Sequence, residues 1–195
     1  MKRVIRAMGL LVIGMLAAAQ AAAQWELDSE SSSINFISVK NSAIAETHSF
    51  ASLVGYIGKS GNVQVSIDLN SVETLIPIRN ERVRKLLFET ADFPTATVAA
   101  NVDPAVLAAV TEGGTVSTEI PVKLGLHGME QKLTVAVTVF SDGGSLRVMS
   151  SRPLILSASD FGLAGGIEAL REVAGLTSIS TAVPVTLNLH FRHAP

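Results

Sequence analysis

Four segments of this chain alternate apolar and polar residues with a period of two, the pattern of strands that bury one face and wet the other. Val63, Val65, Ile67 and Leu69 alternate with Gln64, Ser66, Asp68 and Asn70. Ile120, Val122, Leu124 and Leu126 alternate with Pro121, Lys123, Gly125 and His127. Leu133, Val135, Val137 and Val139 repeat the pattern, as do Val183, Val185, Leu187, Leu189 and Phe191. Turn signals separate the segments: Gly58-Lys-Ser-Gly61, Glu112-Gly-Gly114, His127-Gly128 and Asp142-Gly-Gly144. Many strands joined by short turns must close their shared apolar face against itself, so the expected architecture is mainly β, an antiparallel sandwich or barrel. No composition shift, linker or repeat divides the chain, and a single domain over 24–195 is expected.

Period two yields to helical spacing in two places. After the strand ending near Leu69, Val83, Leu86 and Leu87 fall at i, i+3 and i+4 on one face, predicting a short basic helix over 80–89 with Asn80 as its N-cap. Pro94 then returns the chain to strand. Ile167, Leu170, Val173 and Ala174 predict a second helix over 166–174, with Gly175 as its stop. Asp103 followed by Pro104 is read either as the capped start of a further helix over 103–110 or as a surface turn.

Residues 1–23 read as a cleaved export leader. Lys2, Arg3 and Arg6 precede an apolar stretch from Met8 to Leu16, too short to span a bilayer, and Ala21-Ala22-Ala23 offers a cleavage site. Losing three of the 15 basic residues leaves 12 against 17 acidic ones, a net charge of −5 for a mature chain starting at Gln24. That balance, with no long basic run, argues against a nucleic-acid partner. There are no cysteines, so no disulfide, thiol chemistry or lipidated cysteine anchor enters. About 170 residues suffice for a core that holds without staples, burying roughly 70% of the unfolded surface. The expected location is the periplasm.

The stretch from Ser71 to Pro94 carries more specific information: Ser71-Val-Glu-Thr74, Arg79-Asn80, Phe88 at the helix end, then Asp92-Phe-Pro94. With Trp25-Glu-Leu-Asp28 and Ser33-Ile-Asn-Phe36, Leu124-Gly-Leu-His-Gly128, Ser159-Asp-Phe-Gly-Leu163 and the ending from Val173 to Val185, it resembles the YceI-like family of polyisoprenoid-binding proteins over essentially the whole mature chain. The resemblance implies an extended, lipocalin-like, eight-stranded antiparallel barrel with two short helices, holding an isoprenoid along its axis. The chain departs from the family pattern at Asn41, where a His is usual. It departs again at His48-Ser-Phe50 for Gly-x-Phe and at Arg79-Asn80 for Arg-Asp.

A barrel of this size either fills with side chains or holds one ligand. The candidate lining is therefore drawn from aromatics at strand ends and beside helices, namely Phe36, Phe50, Phe88, Phe93 and Phe161, five of the seven Phe. Leu86, Leu87 and Arg79 join them as ligand-binding candidates. Arg79, Arg82, Arg84 and Lys85 are read as a solvated helix face, or as a head-group clamp and a handle for transient contact with an anionic membrane. For Arg79 the structural alternative is a tie to the Ser71/Thr74 loop. The four His lack metal spacing, no nucleophile or phosphate-loop motif occurs, and Glu46 with His48 is the one local acid–base pair that shares a strand face. A binding protein with no cofactor and no catalysis is expected, its partner an isoprenoid or quinone-like lipid. A homodimer stays open. The alternatives are an envelope structural or stress-related accessory of a membrane redox protein, with a side-chain-filled barrel, and a hydrolase or isomerase acting on an apolar substrate.

Overall fold

The alternating segments join one antiparallel sheet in the computed structural model, which describes residues 23–142 and 144–194. Its strands are β1 (Ala23–Leu27), β2 (Ser33–Lys40), β3 (Ile44–Phe50), β4 (Leu53–Gly58), β5 (Asn62–Asp68), β6 (Val72–Glu73) and β7 (Thr95–Asn101). They continue with β8 (Thr115–Leu126), β9 (Met129–Asp142), β10 (Ser145–Ser150), β11 (Leu154–Ser157) and β12 (Ala182–His193). Eight of them form a ring in the order β1-β4-β5-β7-β8-β9-β10-β12, which closes where β12 meets β1 with Trp25 opposite His193. Closure leaves these strands no bare edge and turns their apolar faces onto one interior.

One side of the barrel is drawn out beyond the ring. The C-terminal half of β12 pairs with β1 and β10, whereas its N-terminal half pairs with β2 and β11. The β2–β3 hairpin therefore rises past the ring and turns through three residues, Asn41 (φ 50°), Ser42 (φ 62°) and Ala43, whose N–H donates to Lys40 O at 3.2 Å. Among the described residues, the far edge of β3 is covered only by two-residue β6.

Three short helices are found among the described residues: α1 (Pro77–Arg82), α2 (Pro104–Thr111) and α3 (Ala164–Val173). The stretch read as helix or turn is helix α2, its start capped by the Asp103 side chain accepting from Ala105 N at 2.8 Å. It covers one end of the barrel with Leu107 and the fully buried Val110.

Two expectations for the first helix are corrected. It starts at Pro77, whose missing N–H costs nothing in a first turn, and not at Asn80. Asn80 instead caps the loop before it: its Oδ1 accepts from Thr74 N at 2.8 Å and from Thr74 Oγ1 at 2.5 Å. The helix then widens into a π turn over Val83–Leu87, where Phe88 N donates to Val83 O at 3.0 Å. One extra residue per turn rotates the following side chains. The buried pair becomes Val83 and Phe88, five apart, and Leu86 leaves the face it was expected to share. The bulge also lets α3 come close, since a Cβ on Gly166 would lie 2.5 Å from Leu86 O.

The export leader expected over residues 1–23 lies outside the described residues, except for Ala23, which opens β1 opposite Gly58.

Candidate functional site: an apolar cavity with a polar mouth

The inward faces of the strands do not meet at the axis. They enclose a cavity of about 560 Å³ that runs the length of the barrel, within the range of ligand pockets in general. At the α2 end Val106 and Leu107 form its floor, and Val63, Val98, Val122, Val135, Leu146 and Leu189 line the middle. At the other end it reaches Ile76, Ile78 and Arg82 of α1 and the turn before it, Val173 and Leu176 around the end of α3, and Lys40 and Ile179. Ile76, Ile78 and Val173 are exposed to solvent, which marks this end as the mouth.

Of the residues proposed from sequence, Phe36, Phe50, Arg79, Leu87, Phe88 and Phe161 line the cavity. The rings of Phe36, Phe50 and Phe88 pack as a trio, with centroids 5.4, 6.0 and 6.5 Å apart, although they come from β2, β3 and the end of the π turn. Phe161 is 2% exposed and sits in the single turn before α3.

Leu86 and Phe93 are not among the lining residues. Leu86 is displaced by the π turn, as described above. Phe93 packs outside the cavity, its ring 4.4 Å from that of His127, over Gly128, where a Cβ would stand 2.9 Å from the Phe93 ring.

Sequence reasoning missed most of the polar lining. Along β2 the inward positions run Ile34, Phe36, Ser38, Lys40, and along β3 they run Phe50, His48, Glu46, so both faces turn from apolar to polar toward the hairpin tip. That gradient is legible in the sequence once the two strands are paired. Glu46 and His48 share a face, as their spacing suggested.

Glu46 holds two cations on one oxygen, with Arg79 Nη1 at 2.7 Å and Lys40 Nζ at 2.8 Å from its Oε2. The hydrogen bond from Lys40 is the largest cause keeping the Glu46 carboxyl below its ordinary range, with the Arg79 charge adding to it. Arg79 also donates from Nη2 to Thr74 O at 2.5 Å, so it ties the loop and faces the cavity at once. His48 is buried, with Nε2 2.8 Å from Ser38 Oγ and its ring 5.1 Å from Phe36. Burial, then the nearby Arg79 charge, pushes its pKa below the ordinary histidine value, leaving a neutral imidazole. Among the described residues, His48 Nδ1 and Arg79 Nε are buried nitrogens without a hydrogen-bond partner. Arg79 Nε–H is a donor without an acceptor, while His48 Nδ1 is donor or acceptor according to the tautomer that its bond to Ser38 selects. A long apolar bore with all of its polar groups at one end suits an amphiphile bound tail first.

A YceI-like domain model matches residues 25–191. No curated protein sequence matches the chain. Among solved structures, a polyisoprenoid binding domain from Saccharophagus degradans implicated in plant cell wall breakdown is 39% identical, with a TM-score of 0.85 over 89% of this chain and 99% of that one. Burkholderia cenocepacia BcnA, 20% identical over 84% of this chain and 98% of its own with a TM-score of 0.66, shares the fold. So does a Campylobacter jejuni YceI protein, 13% identical over 76% and 84% with a TM-score of 0.51. The chain belongs to the YceI-like family.

Proposed function

We propose that this protein binds one long-chain isoprenoid or quinone-like lipid inside the barrel and carries it through the periplasm. The observation that supports this most is the segregation within the cavity: the bore is aliphatic and aromatic from α2 to the Phe36/Phe50/Phe88 trio, and the polar side chains gather at the mouth. The tail occupies the bore. The polar end meets Ser38, Lys40, His48 and Arg79, and the unpaired Arg79 Nε–H supplies a donor to an oxygen of the head group. The 39% identical polyisoprenoid binding domain supports the same ligand class.

Physical argument favours a carrier over a store. Moving a chain from water into the bore gains about 0.8 kcal/mol per CH₂, but the lipid's real alternative is a bilayer whose tails are equally apolar. Tail burial therefore discriminates little between protein and membrane, and the cargo can be handed back. Selection falls to the shape of the bore and to the mouth cluster.

Organic extracts of the purified mature protein, analysed by mass spectrometry, test the reading. A co-purifying prenyl lipid is expected, and it is expected to vanish in Ala100→Trp, which fills the bore from β7, while the fold persists by circular dichroism. An extract free of lipid from the wild-type protein, together with failure to take up added prenyl quinone or prenyl phosphate, would refute it. N-terminal analysis of protein recovered from the periplasm checks the route, with Gln24 as the expected first residue.

A further inference from the structure

Leu75 is the most exposed large apolar side chain among the described residues, at 85%, and it holds a φ of +64°. Neither feature is cheap. A bulky non-glycine residue in the left-handed region is strained, and such strain persists only where the surroundings impose it. Here they do. The N–H of Leu75 itself is taken by Glu73 Oε1. The Thr74 peptide before it is fixed from both sides, its N–H by Asn80 Oδ1 and its carbonyl by Arg79 Nη2. The result of this bracing is an apolar side chain pointed into water.

The neighbours of Leu75 extend the same surface. Ile76 is 43% exposed, Ile78 52%, and Val173 of α3, which lines the same cavity, 45%. Ile76, Ile78 and Val173 are also cavity lining, so the exposed patch is continuous with the interior of the bore. Arg82, Arg84 and Lys85 follow within three turns of chain, which makes this rim basic on a protein whose mature net charge is negative. Of the acids in the segment, Glu73 is engaged with Leu75 and Asn80, and Glu81 is exposed.

From this juxtaposition we infer that the Leu75–Ile78 rim is a docking prong that inserts into the surface of an anionic lipid bilayer and sets the cavity mouth against it. An apolar tip flanked by basic side chains is the chemistry of interfacial membrane binding. Here it has a purpose, because a ligand leaving the mouth would otherwise cross water with its tail bare. The inference rests on the carrier reading for its choice of partner.

Flotation of the folded mature protein with vesicles of phosphatidylcholine alone, and of phosphatidylcholine with phosphatidylglycerol, tests it. Binding to both is expected, tighter to the anionic vesicles. Leu75→Gly removes the prong and relieves the φ strain together, so its expected signature is an unchanged or higher Tm with vesicle binding weaker by roughly tenfold, the scale of withdrawing one leucine from an apolar phase. Lys85→Glu is expected to weaken only the anionic-vesicle component, in a salt-sensitive way. Wild-type protein that floats with neither vesicle, or Leu75→Gly that binds both as well as wild type, overturns the inference. So does a wild-type dimer in light scattering that Leu75→Gly dissolves without any vesicle binding, since the patch would then serve a second copy. A docking failure with prenyl lipid still co-purifying leaves the carrier reading standing. An empty extract removes that reading whether or not the protein floats.

Discussion

The two ends of the barrel are finished by opposite means. At the floor, α2 lies across the opening and buries Leu107 and Val110, while Trp25 is 4% exposed with its ring 4.8 Å from that of His193. At the mouth, α1 and α3 stand beside the opening, polar residues line it, and apolar residues face water. The floor follows the ordinary rule that apolar surface goes inside. The mouth departs from that rule, with exposed isoleucines beside the bore and a leucine held at positive φ. Concentrated departures of this kind mark the end where a protein meets something other than itself.

Substitutions that treat the two ends separately put the contrast at risk. The largest expected effect is from Phe88→Ala, which empties a buried aromatic site beside the mouth and should cost about 3–5 kcal/mol of stability in denaturant unfolding. It should also weaken prenyl lipid binding, because the ring is part of the cavity wall. Phe93→Ala, only half-buried and outside the cavity, is the matched control. If it impairs lipid binding as much as Phe88→Ala does, the placement of the wall is wrong.

Leu107→Ala at the floor should cost about 2–5 kcal/mol of stability, yet change the rate of lipid release to vesicles less than Phe88→Ala does. A faster release from the floor variant would mean that ligand leaves by the α2 end, and the contrast between the ends would be reversed. Gly166→Ala should follow, at about 1–3 kcal/mol for overpacking, since its methyl group would strike the backbone of the π turn. A neutral result in the same unfolding measurement would show that α3 and the π turn can part at little cost.

The smallest effect concerns pH. His48 has its pKa held below the ordinary value of 6.5 by burial and by Arg79, so the unfolded chain takes the proton first as pH falls. Stability should be full above pH 6.5 and decline as the pH drops from there through the folded-state pKa. His48→Gln should flatten that window in a series of melts. Glu46, also depressed, acts in a separate and lower window: its contribution is present above its ordinary 4.5 and lost as pH falls through its own folded value. An unchanged slope between pH 6.5 and 4.5 in His48→Gln would show that the imidazole is not desolvated as its burial indicates.

The strands and their turns were legible in the amino-acid sequence because each rests on local chemistry, whereas closure into a barrel was implied only by the resemblance to the YceI-like family. Period-two alternation, Gly-containing turns and the Asp103-Pro104 start of α2 act over a few residues, and any fold of this chain must respect them. The aromatic trio was half legible: Phe36, Phe50 and Phe88 could be named as candidates from their positions at element ends, but nothing local brings residues so far apart to one wall. Leu86 and Phe93 were misplaced for related reasons. A helical wheel assumes 3.6 residues per turn, and the π turn, stabilised by packing on Gly166 of α3, adds a residue that no local signal announces. Phe93 is drawn outward by His127 and Gly128, partners from the β8–β9 turn.

The amino-acid sequence by itself determined that this protein is disulfide-free and mainly β, an antiparallel sandwich or barrel with an apolar interior face; the choice of a barrel came from its resemblance to the YceI-like family. Only the tertiary structure decided that the interior stays open, that Lys40, Glu46, His48 and Arg79 converge at one end, and that Leu75 points outward at positive φ. The physical reason is range. Secondary structure answers to neighbours a few residues away, whereas a cavity and its mouth are set by how strands thirty to a hundred and fifty positions apart come into register.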